Sequence, residues 1–179
     1  MNLWLEANEM GIRETLLTLN SLKTSGTIQD YAIAGGYACM FYDVQMSTYD
    51  LDVLVVLPSE DDFHRLYQHF KQAGNKIENF YIFIGDMPVQ FFPNYIGPLY
   101  NAAIAKAKTV QFESINCKFV NVEYLIALLL TAYREKDKIR ISSLLVKADK
   151  LLLADVVKRF DDGKNQLFKR YKEVLARTG

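Results

Sequence analysis

The amino-acid sequence predicts an α/β or α+β fold, in which helices flank a small mixed sheet and a helical region follows at the C-terminus. Hydrophobic residues make up 50% of the 179 residues, which is enough for a packed core. Short β-branched and aromatic segments alternate with helical periodicity as far as residue 121, and the pattern beyond it is helical only. We therefore expect a core over 1–121 and a C-terminal helical region over 122–179 that packs on it.

The strand segments are short, apolar and bounded by turn residues. The clearest runs from Leu51 to Leu57, is largely β-branched and ends at Pro58, which is typical of a central strand. Ser114–Asn116 is the predicted turn of a hairpin. The predicted strands cover 31–34, 51–57, 77–84, 89–92, 110–112 and 115–119.

The helical segments show apolar residues at helical spacing and end at glycine or charged residues. Pro98 is expected in the first turn of one helix, where its missing N–H is not needed. The break at Asp161–Gly163 is the clearest in the C-terminal region. The predicted helices cover 3–23, 37–43, 59–72, 98–108, 123–134, 137–147, 150–160 and 164–176.

The charge of the chain is zero overall but unevenly distributed. Residues 1–133 hold 8 Lys/Arg and 14 Asp/Glu, or −6, and residues 134–179 hold 13 and 7, or +6. A basic C-terminal region is typical of a nucleic-acid or phosphate-binding face, although solvated lysines on amphipathic helices give the same pattern. No apolar run approaches the roughly 18 residues that span a bilayer, and residues 1–10 lack the basic start of a signal peptide. These features predict a cytoplasmic protein outside the membrane.

Asp50 and Asp52 are the first candidates for chemistry. Residues two apart on a strand point to the same face, so the two carboxylates are expected side by side while Leu51 points into the core. Two such acids repel each other and raise each other's pKa. A divalent cation relieves that repulsion, and Mg²⁺ prefers one or two carboxylates together with substrate phosphates.

A glycine pair and a hydroxyl flank this acid pair in the sequence. Gly35 and Gly36 follow a short apolar strand and allow the backbone to turn close to a ligand, with N–H groups available to a phosphate. Thr48 stands two residues before Asp50, where its hydroxyl is able to cap the strand or contact phosphate. An acid pair alone is a weak signal, but together with the glycines and the hydroxyl it is considerably stronger.

These motifs resemble the signature of the polymerase-beta-like nucleotidyltransferase superfamily, and within it the branch of abortive-infection toxin-like nucleotidyltransferases. The specific part is Ala32–Ala38 followed by Ser47–Val53. Later segments are similar to the following strand and the helical region of that branch. They are 88–93, 122–127 and 134–138, so the resemblance covers about residues 30–145.

The resemblance implies the minimal nucleotidyltransferase fold and transfer of a nucleotide from a nucleoside triphosphate to a hydroxyl of RNA, protein or a small molecule. It implies that Asp50 and Asp52 are catalytic and bind Mg²⁺ or Mn²⁺. It also implies a toxin-like role, with RNA or tRNA as a target and an antitoxin as a partner. The residues that it implies for the triphosphate are Gly35, Gly36 and Thr48. Lys136 is a further candidate for phosphate contact, as is Arg134, with solvation at a helix end as the alternative for both.

The sequence departs from the superfamily pattern at the third carboxylate, whose position matches Gln90. An amide oxygen is able to bind a metal but is neutral and a poor base, and a structural role for Gln90 is the alternative. Asp86 takes the third position if the register of the strand shifts. Met46 stands where many relatives carry a basic residue. Asp137 is expected to be the N-cap of the next helix rather than a catalytic acid.

Two other functions are therefore open beside the enzyme. The first is a degenerate module that binds a nucleotide or a protein without turnover. The second is an unrelated helical interaction protein with a small sheet, in which Asp50 and Asp52 diverge.

Overall fold

The computed structural model describes residues 9–164 and 166–178, and within them it contains seven strands and eight α-helices. The strands are β1 (Asp30–Ile33), β2 (Leu51–Val56), β3 (Ile77–Glu78), β4 (Tyr81–Ile84), β5 (Met87–Pro93), β6 (Lys108–Phe112) and β7 (Ile115–Phe119). The helices are α1 (Glu9–Thr24), α2 (Gly35–Phe41), α3 (Asp61–Gln72), α4 (Pro98–Ala105), α5 (Val122–Ala132), α6 (Glu135–Leu144), α7 (Lys150–Arg159) and α8 (Leu167–Thr178).

The seven strands form one mixed sheet in the order β3-β4-β5-β2-β1-β7-β6. β1 runs antiparallel to β2, whereas β2 and β5 at the centre are parallel. A parallel pair requires a long connection, and here α3 and the β3–β4 hairpin provide it. The predicted fold class, a small mixed sheet with flanking helices and a C-terminal helical region, is confirmed.

One face of the sheet is apolar over its central strands and carries most of the core. Leu51, Val53 and Val55 of β2 and Val89 of β5 are 0% exposed on this face. Helix α1 covers it, since Asn20 accepts a hydrogen bond from the Tyr31 hydroxyl at 2.9 Å. Helix α3 covers it as well, through a stack of Phe70 on Phe91 with ring centroids 5.8 Å apart. Burial of this continuous apolar surface is the main stabilising contribution to the fold.

The opposite face is mixed in character. Its Leu54 and Phe92 lie beneath α4 and α5 and line a cavity together with Leu125 and Tyr100. Helix α5 is buried around most of its circumference, and α6, α7 and α8 all contact it. The C-terminal helices therefore pack around α5, which itself lies against the sheet. The described helices include none with the length and apolar character required to cross a membrane.

The structure differs from the sequence prediction in several local details. The predicted strand 77–84 is broken at Asn79, which has a φ of +55° and turns the chain into the β3–β4 hairpin. The β6–β7 turn lies at Glu113 and Ser114 rather than at 114–116, because Glu113 adopts a φ of +52°. The last helix begins at Leu167 rather than at residue 164. Residues 3–8 of the first predicted helix lie outside the described residues.

Candidate functional site

The acid pair lies where β2 begins, on the mixed face of the sheet. Asp52 is the second residue of β2, whereas Asp50 lies in the bend immediately before the strand. The expectation that both acids belong to one strand is therefore correct for Asp52 alone. Because Asp50 lies outside the hydrogen-bonded ladder, its carboxylate is positioned by side chains rather than by the strand.

Gly35 and Gly36 form the first turn of α2 and lie against this acid pair. Gly35 has a φ of +57°, and a Cβ atom on it would overlap the Asp52 carboxylate. A Cβ atom on Gly36 would lie 2.5 Å from both Cβ and Oγ1 of Thr48. Only glycine allows both approaches, since it has no Cβ and adopts positive φ without strain. The helix therefore begins two residues earlier than predicted, and the glycine pair lies inside it.

Two hydroxyl groups hold the Asp50 carboxylate. Thr48 Oγ1 donates to Asp50 Oδ1 at 3.2 Å, and the Tyr81 hydroxyl donates to Asp50 Oδ2 at 3.1 Å. Burial and then the charge of Asp50 raise the pKa of the Tyr81 hydroxyl, so this group remains a donor at neutral pH. Thr48 thus contacts Gly36 on one side and Asp50 on the other. Gly35 therefore contacts Asp52, and the neighbouring Gly36 is connected to Asp50 through Thr48.

Gln90 lies directly beside Asp52 in the sheet. The parallel register pairs Asp52 with Gln90, and the antiparallel register of β4 pairs Gln90 with Tyr81. The three side chains therefore occupy one face of three neighbouring strands. Asp86 lies in the turn before β5, so the alternative that it takes the third position is wrong.

Asp52 has an unusual electrostatic environment. Burial, followed by the charge of Asp50, raises the pKa of the Asp52 carboxyl to about 6. Arg140, Arg134 and Lys136 act in the opposite direction, with Arg140 the strongest of the three. The neighbouring cations therefore offset only part of the cost of holding a charged carboxylate here.

The cavity beside Asp52 has a volume of about 130 Å³ and a divided lining. Its charged lining residues are Asp52, Arg134 and Arg140, which lie beside Gly35, and most of the other lining residues are apolar side chains of β2, β5, α4 and α5. The predicted phosphate ligand Lys136 is exposed in the first turn of α6 and is not part of this lining.

The structure brings together five of the predicted site residues, Gly35, Gly36, Thr48, Asp50 and Asp52, and places Gln90 next to them. Tyr81 and Arg140 were not identified from the sequence. Arg140 follows Asp137 by three residues, a spacing that places an acid and a base side by side on a helix and was available as a signal. Tyr81 had no comparable signal, because its contact with Asp50 depends on how β4 pairs with β5.

The donor set is suited to a hard divalent cation. The carboxylates of Asp50 and Asp52, the Gln90 amide and the Thr48 hydroxyl all offer oxygen, which Mg²⁺ and Mn²⁺ prefer. Burial and then the charge of Asp50 raise the pKa of Asp52, and a cation bound between the two acids would offset both effects. Among the described residues, no three His, Cys, Asp or Glu side chains form a group able to hold a metal. The residues fit an ion that would be bound by two acids and would complete its coordination with other oxygen ligands.

Comparisons with known proteins identify the fold. No family model and no curated protein sequence matches the chain. Among solved structures, it is similar to an antigenic nucleotidyltransferase-like protein from Paracoccidioides brasiliensis, with 15% identity, a TM-score of 0.58 and coverage of 89% of this chain and 91% of that chain.

Two structures of the antibiotic-resistance factor ANT(2'')-Ia are also similar. The solution structure has 12% identity, a TM-score of 0.52 and coverage of 90% of this chain and 98% of that chain. The crystal structure in complex with adenylyl-2''-tobramycin has 14% identity, a TM-score of 0.51 and coverage of 89% and 99%. At such identities the likeness concerns the fold, and we conclude that the chain has the fold of nucleotidyltransferase-like proteins.

Proposed function

We propose that the protein is a nucleotidyltransferase that moves a nucleoside monophosphate from a nucleoside triphosphate to an acceptor hydroxyl, with release of pyrophosphate. The observation that carries this proposal is the contact of the glycine pair with the acid pair. Gly35 lies against Asp52, and Gly36 lies against the Thr48 that holds Asp50. This close approach holds the Gly35–Gly36 backbone against the two carboxylates, where its N–H groups are able to face a polyphosphate.

Asp50 and Asp52 are the residues that would hold Mg²⁺ or Mn²⁺. A bound divalent ion would supply charge stabilisation for the triphosphate and for the pyrophosphate that leaves. Thr48 and Tyr81 fix the orientation of the Asp50 carboxylate, and the sheet fixes Asp52. The protein contributes mainly position and charge, as expected for phosphoryl-type transfer.

A second candidate function is nucleotide binding without turnover, and Gln90 favours it. This neutral amide lies beside Asp52, where the superfamily pattern has a carboxylate that activates the attacking hydroxyl. An amide accepts no proton at neutral pH. In this alternative the acid pair and the glycine turn bind the nucleotide, and the acceptor hydroxyl is not activated.

The acceptor class is a finer proposal. The motif resemblance supports a toxin-like cytoplasmic enzyme with RNA or tRNA as acceptor and an antitoxin as partner, and the positive charge of residues 134–179 suits an RNA. The crystal structure of ANT(2'')-Ia contains an adenylylated small molecule, tobramycin. RNA therefore comes first in an acceptor screen, followed by protein and by aminoglycosides.

The first experiment measures nucleotide binding. Calorimetric titration with ATP, GTP, CTP and UTP, with and without Mg²⁺, compares the wild type with Asp50→Asn and Asp52→Asn. We expect Mg²⁺-dependent binding in the wild type and its loss in both variants. Asp86→Asn, which removes a carboxylate from the β4–β5 turn, is the matched control and should bind as the wild type does. Equal binding in all four proteins would contradict a site at the acid pair.

The second experiment separates the two candidate functions. The protein is incubated with α-labelled triphosphates and total RNA, total protein or aminoglycosides, and incorporation of label is measured. Incorporation by the wild type supports the enzyme. If the wild type binds nucleotide but transfers none with any acceptor, whereas Gln90→Asp releases pyrophosphate, the binding module is the correct function.

A further inference from the structure

A buried carboxylate, which neither proposed function uses, organises the basic wall of the cavity. Asp137 is 0% exposed in the first turn of α6. Its Oδ2 accepts hydrogen bonds from Arg134 N at 3.0 Å and from Arg134 Nε at 2.7 Å, and its Oδ1 accepts one from Arg134 Nη2 at 3.2 Å. Arg140 Nη1 lies 3.6 Å from the same Oδ1. One acid therefore joins two guanidinium groups.

Both arginines face the candidate site. Arg134 and Arg140 line the cavity together with Gly35 and Asp52. The Arg140 side chain is only 15% exposed, whereas that of Arg134 is 58% exposed. Their positive charge reaches Asp52 across the cavity. The two guanidinium groups thus form the basic wall of a cavity that Gly35 and Asp52 also line.

A helix cap alone does not require this arrangement. Asp137 is the third residue of α6 rather than the N-cap expected from the sequence, and one hydrogen bond from Arg134 N to its carboxylate is enough to satisfy that N–H at the start of the helix. The additional fork-like contact fixes the plane of the Arg134 guanidinium, and Asp137 engages only part of the five N–H donors that each arginine carries. Preorganised guanidinium groups are the side chains best suited to bidentate contact with phosphate oxygens.

We propose that Asp137 is a positioning residue, which holds Arg134 and Arg140 as the wall that binds the polyphosphate chain of the nucleotide. This inference rests on the proposed nucleotide site and assigns its anion contacts to these two arginines. Lys136, the phosphate ligand predicted from the sequence, is exposed outside the lining and has a minor role.

The deciding experiment compares the binding of ATP with that of AMP. Loss of a basic wall that binds the polyphosphate chain should weaken ATP binding far more than AMP binding. Dissociation constants in Mg²⁺ are measured for the wild type, Asp137→Asn, Arg134→Gln, Arg140→Gln and Arg140→Lys. We expect Asp137→Asn and Arg140→Gln to raise the ATP dissociation constant about tenfold or more, as loss of charge-assisted phosphate contacts predicts. The AMP constant should change little, and Arg140→Lys should recover only part of the ATP affinity. The dissociation constant of inorganic tripolyphosphate should rise in the same variants as that of ATP.

Asp62→Asn is the matched control. Asp62 pairs with Arg65 at 2.9 Å with the same spacing of three residues, but on α3 and beyond the other face of the sheet. This variant should keep the wild-type ratio of ATP to AMP affinity. If Asp137→Asn does not fold, as shown by its circular dichroism spectrum, the two arginine variants decide the question.

The outcomes separate this inference from the proposed function. A wild type that binds no triphosphate overturns both. The positioning role alone is overturned if the wild type binds ATP at the acid pair but the variants keep its ratio of ATP to AMP affinity. These variants are the folded Asp137→Asn, Arg134→Gln and Arg140→Gln proteins.

Discussion

The two faces of the central sheet differ sharply although they are built by alternate residues of the same strands. On the α1 and α3 side, β2 presents Leu51 and Val53, which are wholly buried among apolar side chains. On the side of the cavity, the same strand presents Asp52 beside Gln90, and both are only partly buried. The first face stabilises the fold, whereas the second holds a charge that opposes it. This division shows that the site is built at a cost in stability that the other face offsets.

The largest difference between the faces is expected in activity. Asp52→Asn should lower nucleotidyl transfer by on the order of 1,000-fold, because it removes one of two acids that hold the divalent ion. Val53→Ala, one residue away on the other face, should leave the rate per folded molecule near that of the wild type. Initial rates of label incorporation, normalised to folded protein, test this pair. Comparable losses in both variants would mean that the faces are not functionally distinct.

For stability, substitutions on the apolar face should have the larger effect. Leu51→Ala should lower the free energy of unfolding by about 3 kcal/mol, because it removes a buried side chain from a packed core and leaves a cavity. Urea denaturation with constant slope measures this loss. Tyr49→Ala, which removes a side chain that is 85% exposed, is the control and should change the stability little. A loss below about 1 kcal/mol for Leu51→Ala would show that this face is loosely packed.

The pH dependence of stability sharpens the comparison. The folded-state pKa of Asp52, about 6, lies above its ordinary value of 3.8, so the folded protein binds a proton that the unfolded chain has released. Stability is therefore complete below pH 3.8 and falls as the pH rises toward 6. Asp52→Asn removes this loss and should be more stable than the wild type by roughly 2–3 kcal/mol at pH 7.

Urea denaturation of the wild type and Asp52→Asn between pH 4 and pH 7 measures this effect. The difference between the two proteins should grow over the titration range and then remain constant. Leu51→Ala removes no titrating group. The difference between its free energy of unfolding and that of the wild type should therefore be the same at every pH. A difference for Asp52→Asn that is the same at every pH would exclude the proposed electrostatic cost.

The smallest effect is expected at Tyr81. Tyr81→Phe removes the hydrogen bond to Asp50 Oδ2 but keeps the ring, and the Thr48 contact with the other oxygen remains. We expect the affinity for Mg²⁺ in the presence of ATP to fall by about threefold to tenfold, which matches the loss of one hydrogen bond. Tyr67→Phe, which removes a hydroxyl that donates to the Phe80 carbonyl oxygen, is the control and should not change this affinity.

Local patterns predicted most of the helices and strands and most of the residues that the structure brings together at the candidate site. The alternation of Leu51, Asp52 and Val53 predicted a two-faced strand, and the apolar run after Asp52 predicted its central position. The break at Asn79 was missed because a single residue with positive φ leaves no periodic signal. Likewise, the apolar segment around 77–84 reads as one strand although it forms parts of two.

By itself, the sequence determined the fold class and the glycine, hydroxyl and acid residues of the candidate site, because periodicity and residue chemistry act over a few neighbouring positions. Only the tertiary structure decided that Gln90 lies beside Asp52, that Gly35 contacts that acid, and that Asp137 holds two arginines at the cavity. These contacts join segments that are far apart in the chain. Their geometry follows from strand register and helix packing, which depend on burial of the whole core rather than on any local pattern.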